Sequence, residues 1–147
     1  MRTQMEAEGI ALDRTEARAA AMKLIYEWEM GGDGGIDTRN GLLEINEEDK
    51  NSQYMEKLFE TVRENVTAID AKIAEFLRSG WRLDRLSRVD LSILRLGVCE
   101  MLYCETPAAV AINEAIELSR KYSTDEISPF INGVLGSVAR SMQAEKA

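Results

Sequence analysis

The stretch from Arg85 to Tyr103, "RLSRVDLSILRLGVCEMLY", is apolar around most of its girth when wound as a helix. Such a helix cannot lie on a surface and needs cover on several sides. No segment of the chain alternates at period two for long enough to argue a strand. The cover must therefore come from other helices. The chain reads as all-α, with this segment central and buried.

The other helices follow from period and punctuation. One is expected from Arg14 to Met30, opened by Asp13 and Glu16 at capping-box spacing. Its apolar face carries Ala17, Ala20, Ala21, Leu24, Ile25 and Trp28, and "GGDGG" ends it. A second is expected from Ser52 to Asn65, with Met55, Leu58, Phe59 and Val62 inward. Thr67 and Asp70 mark a further capped start, followed by Ile69, Ile73, Phe76 and Leu77, and Ser79-Gly80 stops it. Thr106-Pro107 breaks the chain after the central helix, and another helix runs to about Tyr122. The last is "SPFINGVLGSVAR", with Ser128 as cap and Pro129 at the first helical position. Within it Gly133 and Gly136 weaken the helix, each by roughly 1 kcal/mol against alanine. Their small side is expected to let another helix approach closely. Asn132 and Asn113 are expected to be structural, Asn132 bonding a neighbouring helix end.

Length and chemistry narrow the function. At 147 residues one domain is expected over 1–147, with residues 1–13 a flexible N-terminal arm. There is no histidine, GxGxxG, P-loop or GxSxG, so no catalytic residue, metal site or cofactor is expected. The acidic run Glu47, Glu48 and Asp49 reads as a solvated loop. "MRTQMEAEGIALD" has no apolar core of a signal peptide, and no run is long enough to span a membrane. Cys99 and Cys104 are then expected as reduced thiols in a cytoplasm.

The formal net charge of −8 argues against broad nucleic-acid binding, yet the basic residues cluster. Arg78, Arg82, Arg85, Arg88 and Arg95 stand against only Asp84 and Asp90. Arg85, Arg88 and Arg95 share a stripe at helical spacing. Arg14 and Arg18 lie one turn apart, and Tyr26 lies two turns beyond, off the apolar face. Arginines beside an exposed ring suit a single RNA strand, whose phosphates they meet and whose bases stack. Equally, these arginines can pair with Asp84, Asp90 and other carboxylates on a solvated face.

"VAINEAIELSRKYS" and "FINGVL" resemble the signature segments of the NusB family of bacterial transcription antitermination factors. "LSRVDLSILRLGVCEML" is similar to that family's central helix, and "EARAAAMKLIYEWE" to its first. The likeness runs from about Arg14 to Arg140. It implies a helical bundle of about seven helices in two packed subdomains. It also implies a factor without catalytic activity that binds boxA RNA with the ribosomal protein NusE. The pair serves the RNA polymerase antitermination complex in ribosomal RNA operons. By resemblance Arg14, Arg18 and Tyr26 fall on the RNA face, joined by the Arg85, Arg88 and Arg95 stripe. Asp90 and Phe130 fall on the partner face. Residues 1–30 depart from the family's basic N-terminus. They hold Arg2, Arg14, Arg18 and Lys23 against Glu6, Glu8, Asp13, Glu16, Glu27 and Glu29. RNA affinity is therefore expected to be weak alone and to depend on NusE. Two alternatives follow from the resemblance: a helical interaction module or homodimer with little RNA binding, and the NusB-like domain of a ribosomal RNA methyltransferase. With the given sequence running to Ala147, a methyltransferase domain is not expected.

Overall fold

The structure, a computed structural model, describes residues 13–32, 50–78 and 80–146. The N-terminal arm to residue 12 and the acidic loop holding Glu47, Glu48 and Asp49 lie outside the described residues. Those described form five α-helices: α1 (Arg14–Glu29), α2 (Lys50–Glu75), α3 (Arg88–Tyr103), α4 (Ala108–Tyr122) and α5 (Ser128–Lys146). Two 3-10 turns, Leu83–Arg85 and Asp125–Ile127, complete them. None of the described residues is in a strand, so the all-α class holds, with five α-helices where about seven helices were expected. No described helix is long and apolar enough to cross a membrane.

The stretch α2 is two helices meeting at a kink at Asn65, where the sequence placed the boundary between its second and third helices. Asn65 leaves helical geometry at φ −120° and ψ 17°, and the helix resumes beyond it. The Asn65 side-chain amide donates to the Thr61 carbonyl at 2.8 Å. The bend thus keeps its acceptor satisfied and becomes a kink, not a stop. Thr67 and Asp70 sit inside the continuing helix.

The residues fall into two compact units that divide between Glu60 and Thr61, inside α2. In the first, the expected capping box is complete. Asp13 Oδ1 accepts from the Glu16 amide at 2.7 Å, and the Asp13 amide donates to Glu16 Oε1 at 3.1 Å. Ala17, Ala20, Ala21, Leu24 and Ile25 are buried, as are Met55, Leu58 and Phe59 on α2. Trp28 is half-buried.

In the second unit α3, α4 and α5 pack against one another. Every residue from Asp90 to Met101 is buried, as the apolar girth of this segment requires. The helix starts at Arg88, later than expected, because Ser87 caps it by accepting from the Asp90 amide at 3.0 Å. Ser128 does not cap α5. The Asp125–Ile127 turn runs straight into the helix, and Ser128 Oγ lies 2.8 Å from Ser119 Oγ on α4.

The close helix approach is not where the glycine pattern suggested. A methyl on Gly133 would meet nothing within 4 Å, and one on Gly136 only the tip of Arg140. A methyl on Gly97 would stand 2.9 Å from Leu135 Cδ1, so α3 and α5 meet closely there. Asn132 and Asn113 are exposed and lie outside the packed interface. Gly133→Ala is therefore expected to stabilise the protein by about 0.5–1 kcal/mol, since an open helix position gains propensity without a clash. A thermal melt that falls instead would show hidden crowding at this face.

Candidate nucleic-acid and partner interface

In the first unit, the start of α1 and the start of α2 build one surface feature. The guanidinium carbon of Arg14 lies 3.7 Å from the centre of the Tyr54 ring. That of Arg18 lies 5.9 Å from the same centre. Arg14 is half-buried, whereas Arg18 is only 5% exposed. The reason is periodic: Arg18 stands four and seven residues before Met22 and Ile25, both buried. Expected on the RNA surface, it belongs to the interior side of α1. Tyr26 remains at the surface, 37% exposed. Tyr54 was not among the residues expected from the sequence. An isolated tyrosine on an amphipathic helix carries no local sign that arginines 36 and 40 residues earlier will reach its ring.

In the second unit the expected stripe of Arg85, Arg88 and Arg95 comes apart. Only Arg85 is exposed. Arg88 is half-buried and its Nη2 donates to the carbonyls of Leu83 and Leu86, at 3.2 and 2.8 Å. It ties the 3-10 turn to the first turn of α3. Arg95 is buried and grips Asp70 with two bonds, Nε to Oδ1 and Nη2 to Oδ2, both 2.8 Å. A stripe on a helix enclosed along its length points inward as readily as outward. Arg82, fully at the surface, is clamped to Asp84.

Asp90, expected at the partner face, is 7% exposed. Its Oδ1 is buried without a hydrogen-bond partner. The position at the first turn of α3 favours the negative charge there. Phe130 is half-buried, and its ring centre lies 5.8 Å from that of Trp81, tilted by 31°. Trp81 is 52% exposed. The turn that presents it closes through its amide, which donates to the Arg78 carbonyl at 2.9 Å, with Gly80 at φ +86°. Phe76, Arg78, Trp81, Glu126, Phe130 and Gly133 line a groove of about 530 Å³. Trp81 went unnoticed in the sequence, although a tryptophan directly after a Ser-Gly helix stop is a visible anomaly.

Residues 15–140 match the family model described as the NusB family. The chain is 41% identical over 131 residues to the transcription antitermination protein NusB of Finegoldia magna, covering 88% of this chain and 95% of that one. It is 42% identical to the NusB of Acetivibrio thermocellus, covering 88% and 90%. Among solved structures it is similar to T. maritima NusB, with a TM-score of 0.75, 32% identity and coverage of 89% and 93%. It is also similar to a chain in a crystal structure of antitermination factors NusB and NusE in complex with dsRNA. There the TM-score is 0.76 and the identity 28%, covering 87% of this chain and 96% of that one. Along most of its length, the chain belongs to the NusB family, that of the transcription antitermination proteins it matches.

Proposed function

We propose that this chain binds boxA RNA together with NusE, and that the pair joins the RNA polymerase antitermination complex in ribosomal RNA operons. It acts in the cytoplasm by binding alone, without catalysis. The observation that carries this reading is the outer side of α1. Arg14 opens the helix at the surface and the Tyr26 ring is exposed further along. At 1.5 Å per residue the two are spaced about 18 Å along the axis, room for several nucleotides of an extended strand. A similar solved structure holds NusB and NusE with dsRNA, which supports RNA binding in company with NusE. Arg14 and Tyr26 are the RNA contacts of the first unit, and Arg85 is a separate exposed cation of the second. Arg18, Arg88 and Arg95 serve the fold. Phe130, with Trp81 beside it, forms the partner surface; Asp90, buried at the first turn of α3, serves the fold.

Few free arginines and a net charge of −8 set the expected behaviour. Affinity for boxA RNA is expected to be higher with NusE than without. About two phosphate contacts on a single strand, by Arg14 and Arg85, imply a log–log salt slope near roughly −1.4. Titrations of boxA RNA with and without NusE, across salt, test both points. Equal affinity in the two conditions, or a slope steeper than about −5, would defeat the reading.

A further inference from the structure

Among the arginines, Arg14 has an unusual partner. Arg82 and Arg120 hold exposed carboxylates and Arg95 holds Asp70. No carboxylate of the described residues pairs with Arg14, whose guanidinium instead rests over the Tyr54 ring at 3.7 Å. At 3.7 Å from the ring centre the guanidinium is close enough to stack its flat face on the ring. Its N–H donors lie in its own plane and stay available to oxygen acceptors. A carboxylate partner would occupy those same donors and cancel the charge.

The rest of the local geometry fits one purpose. Arg18, a turn further along α1, approaches the same ring at 5.9 Å. Both arginines project from α1, and Tyr54 comes from α2 within the same compact unit. An arginine at a helix start would otherwise sample many rotamers. The ring limits them before any ligand arrives. Net acidity in residues 1–30 makes this more consequential, because few other cations there can draw in a phosphate.

We propose that Tyr54 is a positioning residue of the RNA site: its ring holds Arg14 clear of the carboxylates of the described residues so that the guanidinium meets an RNA phosphate. This rests on the RNA-binding reading above. Tyr54 itself touches no RNA.

The test uses the full chain with NusE and a boxA RNA oligonucleotide, titrated across salt. The variants are Arg14→Ala, Tyr54→Phe, Tyr54→Met and the double variant Arg14→Ala with Tyr54→Met. Methionine fills the space with an adaptable apolar chain, so the fold is expected to survive. Tyr54→Phe keeps the ring and is expected to bind within about twofold of the parent. Tyr54→Met is expected to weaken binding about tenfold, like Arg14→Ala, and the double variant no further. In each of these three the salt slope should flatten by about 0.7, the mark of one lost phosphate contact. A merely structural role would lower the active fraction and leave the slope alone. Should Tyr54→Met bind with the parental slope while Arg14→Ala does not, Tyr54 positions nothing and the RNA reading stands. Additive losses in the double variant overturn the proposal in the same way. An Arg14→Ala variant with parental affinity and slope overturns both. If Tyr54→Met melts below the assay temperature, Tyr54→Phe decides with Tyr54→His. Parental binding by histidine supports a ring platform, and loss of binding by phenylalanine refutes it.

Discussion

Arg95→Ala is expected to lower the unfolding free energy by about 3 kcal/mol, the low end of what breaking a buried ion pair costs. The side chain of Arg95 is 6% exposed and that of Asp70 is 23% exposed. Removing the guanidinium takes away two bonds of 2.8 Å and leaves the carboxylate facing the interior. The partial exposure of Asp70 lets water reach it, which keeps the loss from the upper end of the range. For a chain of this length the melting temperature should drop by about 8 °C. Urea unfolding followed by circular dichroism gives the free energy directly. Adding Asp70→Asn to Arg95→Ala should recover part of it, because the stranded charge is gone. A loss under about 0.5 kcal/mol would mean the pair is surface-like in solution. Arg85→Ala is the contrast. As an exposed arginine it should leave the melt unchanged within about 0.5 kcal/mol and weaken RNA binding.

That contrast marks the boundary of what the sequence could tell. The helices were legible because each carries its own period. The faces of Ala17 to Ile25, of Met55 to Val62 and of Ile69 and Ile73 are buried as read. Local chemistry was legible for the same reason, since Asp13 and Glu16 complete each other within one turn. What was not legible depends on partners far along the chain. Arg85, Arg88 and Arg95 share a stripe, but only packing decides that its far end meets Asp70, 25 residues away. Charge on a helix proves exposure only when no carboxylate waits inside. The glycines teach the same lesson. Gly133 and Gly136 look like a contact face in isolation, yet the crowded site is Gly97, because Leu135 arrives from α5. Family resemblance singled out Phe130 but not the ring beside it, since Trp81 stands in a turn without a period of its own.

The pairing of Phe130 with Trp81 leads to the last expected result, loss of assembly in Phe130→Asp with the fold retained. Phe130 is half-buried, and the ring it leans on is itself 52% exposed. Its removal opens no sealed cavity. The expected stability cost is about 1–2 kcal/mol, from the lost ring pair and some apolar cover. A domain with roughly 5–15 kcal/mol in hand stays folded through that. The site also tolerates an acid, because Phe130 lies two residues past the start of α5, where the helix dipole favours negative charge. Binding is another matter. An aromatic anchor at the centre of an interface commonly contributes 2 kcal/mol or more, about thirtyfold in affinity, and a carboxylate in its place must also be desolvated. NusE pull-down and a melt of the same sample are expected to show a cooperative transition and no complex. Trp81→Ala should weaken assembly less, since it removes the support and leaves the anchor. A lost transition in Phe130→Asp would make this ring part of the core. An intact complex would move the NusE surface away from the Trp81 groove altogether.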